Sequence, residues 1–134
     1  MPIINEREVI KRIPIYIKGG KNKGKQGGML IFEKDKLPYY YVVKNFKRNQ
    51  LYVAPKHRNT IGISIDIIDE LEKHGAEKAI FQIIGLEETS FYYIVPLKDF
   101  RKGEFTDYDD PQFRLRTSGL FRYYPTQTDI SKYV

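Results

Sequence analysis

Residues 18 to 29, KGGKNKGKQGGM, hold five of the ten glycines and four lysines, with no acid among them. Glycine lets a backbone come close to a ligand and lysine presents a compact point charge, so this stretch has the chemistry of a phosphate contact. From Gly19 to Gln26 it falls one residue short of the phosphate-cradling pattern G-x-x-x-x-G-K-[ST]. Gln26 stands where that pattern needs a hydroxyl for Mg²⁺. Gly27, Gly28 and MLIF then follow, with no helix to aim its first amides at a phosphate, so nucleotide hydrolysis is not expected. What remains is attraction to phosphates without any reading of sequence.

Further cations follow in the same half: Lys44, Lys47 and Arg48, then Lys56, His57 and Arg58. Together with Lys18, Lys21, Lys23 and Lys25, the lysines and arginines of these clusters make a candidate set of nine for a nucleic-acid backbone. Tyr39, Tyr40 and Tyr52 are interleaved with them and are the candidates for stacking on unpaired bases.

Catalytic chemistry finds less support. Cysteine is absent, which removes disulfides, thiolate nucleophiles and Cys-based metal sites. His57 and His74 are not spaced as a metal pair; His57 reads as another phosphate-facing donor and His74 as a helix-terminal cap. Neither Asp-x-Lys nor Glu-x-Lys occurs, although Glu33 and Asp35, with Lys36 and Lys44, offer an atypical set for a metal-dependent nuclease. Asp107, Asp109 and Asp110, near Asp99 and Glu104, lack the glycine and terminal glutamate of a calcium loop and read as a solvated turn before Pro111. No cofactor and no metal are expected.

The net charge of +6 is unevenly divided along the 134 residues. Residues 1 to 60 carry fourteen Lys or Arg against four Asp or Glu, a net of +10; residues 61 to 134 carry nine against thirteen, a net of −4. Such asymmetry points to a polyanion. A membrane surface would call for a basic amphipathic helix, whereas the clearest helix here is acidic. The N-terminal residues mix acids and bases with no long apolar run, so neither a signal peptide nor a membrane span is expected, and a cytoplasmic location is.

These groups must be positioned by local elements. NEREVIKRI reads as a short helix capped by Asn5 and ended by Pro14. IPIYI and MLIFE read as strands of a hairpin whose tip is the glycine-lysine stretch, with Tyr16 on the face opposite Ile13, Ile15 and Ile17. A second hairpin is expected over residues 36–46 and 50–56, turning at Lys47, Arg48 and Asn49. SIDIIDELEKHG, residues 64 to 75, is a helix with Ser64 as cap, an Ile65, Ile67, Ile68 and Leu71 stripe and Gly75 at its end. KAIFQIIG and SFYYIVPL should be central strands, and FRLRT and GLFRYYP edge strands.

The expected fold is α+β: one domain over residues 1–134, an antiparallel or mixed sheet of about five to seven strands and one or two packing helices. The expected function is nucleic-acid binding, DNA ahead of RNA, through basic hairpin loops and without catalysis. The alternatives are the atypical nuclease and an interaction or inhibitor module docking on an acidic protein. Self-association through the basic and acidic halves is a side expectation.

Overall fold

The period-two alternation of the first half is realised as strands. The computed structural model describes residues 6–45, 59–84, 90–106 and 111–124. β1 (Val9–Tyr16) runs antiparallel to β2 (Gln26–Glu33), and β2 antiparallel to β3 (Tyr39–Asn45). The first hairpin is therefore present as expected. The helix expected over NEREVIKRI is not: residues 6–8 form a turn and β1 starts at Val9, while its proposed cap, Asn5, lies outside the described residues. Val9, Ile13 and Ile15 gain more from partners on β2 than a short isolated helix could supply. Pro14, expected to stop a helix, sits within β1, which among the described residues has a neighbour on one side only, the position in a sheet where proline's missing N–H is tolerated.

β4 (Thr60–Ser64) leads directly into α1 (Ile65–Lys73), and β5 (Lys78–Ile84) then returns to pair with β3 in parallel. Parallel neighbours require such a crossover. Ser64 Oγ accepts from the Ile67 N–H at 3.2 Å, Ile67, Ile68 and Leu71 face the core, and Gly75 takes φ +87° just past the helix. β6 (Ser90–Pro96) pairs with β5 over its whole length and runs into the short α2 (Leu97–Phe100). β7 (Glu104–Thr106) and β8 (Gln112–Arg116) complete the strands among the described residues.

Among the described residues these strands form two sheets, a five-stranded mixed one ordered β1-β2-β3-β5-β6 and a three-stranded one ordered β4-β8-β7. With the two helices they make one small α+β domain. β5 is interior as expected. Among the described residues β6 is an edge strand, its outer side met only by an isolated bridge from Tyr92 to Tyr123. That bridge is also the only strand-like pairing of GLFRYYP among its described residues, after a 3-10 turn at Thr117–Gly119. The second hairpin is described only in its first strand, β3; its tip and its return over 50–56 lie outside the described residues.

One face of the larger sheet carries the main core. Ile15, Leu30, Tyr40, Val42, Phe81 and Tyr93 pack with Ile61 and Ile63 of β4, the apolar stripe of α1, and Leu97 and Phe100 of α2. The other face has a smaller cluster of Ile31, Tyr39, Ile80 and Tyr92. Among the described residues no helix is long and apolar enough to cross a membrane.

Candidate nucleic-acid interface

The glycines of the opening stretch have structural tasks first. Pro14 faces Met29 and Tyr16 faces Gln26, so Ile15 alone opposes Gly27 and Gly28, a bulge in β2. A side chain at Gly28 would begin 2.8 Å from the Tyr41 carbonyl and from the Tyr40 ring, at φ +132°, and one at Gly27 would begin 2.9 Å from Ile17. The Tyr40 hydroxyl donates to the Gly27 carbonyl and pins the bulge to the core. Gly20 and Gly24 take φ of +74° and +87° in the turn itself, where a residue with a Cβ is strained.

This makes the tip an ordered loop. The Ile17 N–H donates to Lys25 O at 2.9 Å, the Gly24 N–H to Ile17 O at 2.8 Å, and the Lys25 N–H to Asn22 O at 3.0 Å. Lys18, Lys21, Lys23 and Lys25 are all exposed. Lys18 lies 3.2 Å from Glu70 of α1, a close ion pair whose angles do not make a hydrogen bond, so the acidic half of the chain neutralises this one cation. Among the described residues Lys21, Lys23 and Lys25 form no ion pair. Elsewhere Arg12 pairs with Glu6, and Arg101 holds both Asp69 and Glu72, at 2.7 and 2.8 Å. Those two carboxylates raise the affinity of Arg101 for its proton.

Lys44 sits near the end of β3. Because β3 runs antiparallel to β2, this is the same end of the sheet as the tip. It is half-buried and already engaged within the protein. Lys47, Arg48, Lys56, Arg58 and Tyr52, along with His57, lie outside the described residues.

The base-stacking expectation for Tyr39 and Tyr40 is corrected. Their rings are 2% and 3% exposed, Tyr39 in the smaller core cluster and Tyr40 in the main one, so neither offers a face to a base. Burial raises both hydroxyls well above tyrosine's ordinary range, reinforced at Tyr39 by its hydrogen bond to Glu33. Tyr41 is raised for the same first reason, with Tyr92 adding to it. Tyr16, next to the tip, is exposed at 51%, and Phe105, Phe121 and Tyr124 are exposed elsewhere. The signal for Tyr16 was the alternation in IPIYI, which sets it opposite the inward isoleucines.

The carboxylates offered as an atypical nuclease set differ in burial, although Glu33, Asp35 and Lys36 line one surface cavity. Glu33 is 2% exposed, accepts from the Tyr39 hydroxyl at 2.5 Å and has its other oxygen unpartnered, whereas Asp35 is exposed in the following turn at φ +60°. Lys44 is five residues along β3 from Tyr39, roughly 17 Å at strand rise, and cannot join them. Among the described residues no three His, Asp or Glu side chains are grouped to hold a metal ion. His74 caps the C-terminus of α1 and meets Phe32 edge-on at 6.4 Å. Asp107, Asp109 and Asp110 lie outside the described residues.

No protein-family model, curated protein or solved structure matches the chain. The reading of this surface therefore stands on its physical chemistry alone.

Proposed function

We propose that the protein binds nucleic acid, without catalysis, by laying the β1–β2 tip along a phosphate backbone. The observation that carries this reading is the clustering of three exposed lysines, Lys21, Lys23 and Lys25, on one hydrogen-bonded loop with no ion pair among the described residues, while Lys18 beside them is matched by Glu70. Three ammonium groups held this way release counterions when phosphates replace their water and salt shell, which gives affinity without base discrimination. DNA is the first ligand to test, with RNA beside it.

Retardation of labelled single- and double-stranded DNA and RNA at two or more salt concentrations measures this directly. The parent should bind, with log affinity falling linearly against log salt. Lys21→Ala/Lys23→Ala/Lys25→Ala should lower the slope by about 2 to 3, at roughly 0.7 per phosphate on single strands and 0.9 on duplex. A variant that binds like the parent at every salt concentration removes the tip from the interface. If the parent ignores all four ligands but retains an acidic protein partner, the surface serves protein docking instead.

A further inference from the structure

Tyr16 is the last residue of β1 and half of its surface faces solvent, although Ile15 beside it is fully buried on the opposite face. Among the described residues β1 is an edge strand, with no strand beyond it. The residue facing Tyr16 is Gln26, also exposed, and its amide bonds back to the Gly28 carbonyl at 3.2 Å. Lys25 immediately precedes Gln26, and its carbonyl receives the Ile17 N–H. An aromatic face thus stands at the root of the lysine loop, fixed relative to it by the ladder and by the bulge that Tyr40 anchors.

From this juxtaposition we propose that Tyr16 is a stacking platform and that the ligand of this surface is single-stranded nucleic acid, an inference that rests on the phosphate-binding reading above. In a duplex the bases are stacked inside and their faces cannot reach a side chain on a strand. In a single strand whose phosphates lie on Lys21, Lys23 and Lys25, an adjacent unpaired base can turn onto the ring, and every base has a π-face to offer. Arg12, on the same face of β1, is held by Glu6.

The chain contains no tryptophan, so Tyr16→Trp places a single indole at this position. Titration of that variant with an oligothymidylate of about 12 nucleotides should quench its fluorescence to saturation. Tyr16→Ala and Tyr16→Leu should each weaken oligothymidylate binding by about 5- to 100-fold, by the same factor at every salt concentration, and leave the affinity for duplex unchanged. Lys21→Ala/Lys23→Ala/Lys25→Ala should instead change the salt slope for both ligands. If both Tyr16 variants bind oligothymidylate as the parent does, or the indole is not quenched on binding, while the lysine variant is weakened, the stacking role is overturned and the phosphate-binding reading survives. If the parent binds neither single strand nor duplex, both fall.

Discussion

Strand β2 brings charge to both of its ends and treats it in opposite ways. At the Gln26 end the hairpin tip projects Lys21, Lys23 and Lys25 into solvent with no ion pair among the described residues. At the Glu33 end a carboxylate is drawn to 2% exposure and held by the Tyr39 hydroxyl across the turn into β3. The fold consumes the charge at one end as structure and leaves the other available to a partner. A charged residue in the sequence therefore says little about function until its neighbours in space are known; the difference lies in what the adjacent strand supplies, a hydroxyl in one case and water in the other.

The largest expected effect tests whether the Glu33 end is closed core. Tyr39 and Tyr40 hold their protons more tightly folded than unfolded, because burial and, for Tyr39, Glu33 oppose ionisation. Their contribution to stability is complete below the unfolded tyrosine value of about 10 and is lost as pH rises above it, since only the unfolded chain then releases these protons. Each hydroxyl should steepen the loss by up to about 1.4 kcal/mol per pH unit. Urea midpoints measured between about pH 8 and pH 11 should fall sharply only beyond 10; a flat profile would mean that these hydroxyls are open to solvent.

Removing the carboxylate is expected to cost less. Glu33→Ala leaves the buried Tyr39 hydroxyl without its acceptor and should destabilise by about 1–3 kcal/mol, whereas Glu33→Gln keeps an acceptor and should cost less than that. Equal losses in urea titrations would show that charge, rather than the hydrogen bond, is what the site needs.

At the other end, the two kinds of glycine can be told apart. Gly28→Ala meets both a left-handed backbone and close atoms at 2.8 Å and should cost about 1–3 kcal/mol. Gly24→Ala meets open space at φ +87° and should cost only about 1 kcal/mol. Thermal unfolding of the pair should rank them in that order; the reverse order would place the constraint in the turn rather than the bulge. Smallest of all should be the stability change in the triple lysine variant, within about 0.5 kcal/mol, so that its binding defect reports contact and not unfolding.

Several parts of this architecture could be read from residues alone. Ser64, the isoleucine stripe and Gly75 define α1 because caps and helical periodicity are local. KAIFQIIG and SFYYIVPL are strands because short segments dominated by apolar, aromatic and β-branched residues suit a buried strand. The first hairpin follows from alternation on either side of a glycine-rich turn. Readings that failed depended on distant partners. NEREVIKRI has helical end signals, yet β2 was available to pair with its β-branched residues. β4 and β7 are short, and only β8 between them makes them strands.

The candidate site divides along the same line. Sequence by itself determined the cluster of lysines on a turn, the lack of thiol chemistry and the presence of tyrosines near the cations, since composition and spacing are properties of the chain. Tertiary structure alone decided that Tyr39, Tyr40 and Glu33 are buried, that Lys18 meets Glu70, and that Tyr16 stands exposed beside the tip. Alternation sorts side chains onto two faces of a strand, but which face is covered, and which charge finds a counterion, depends on elements that arrive from elsewhere in the chain.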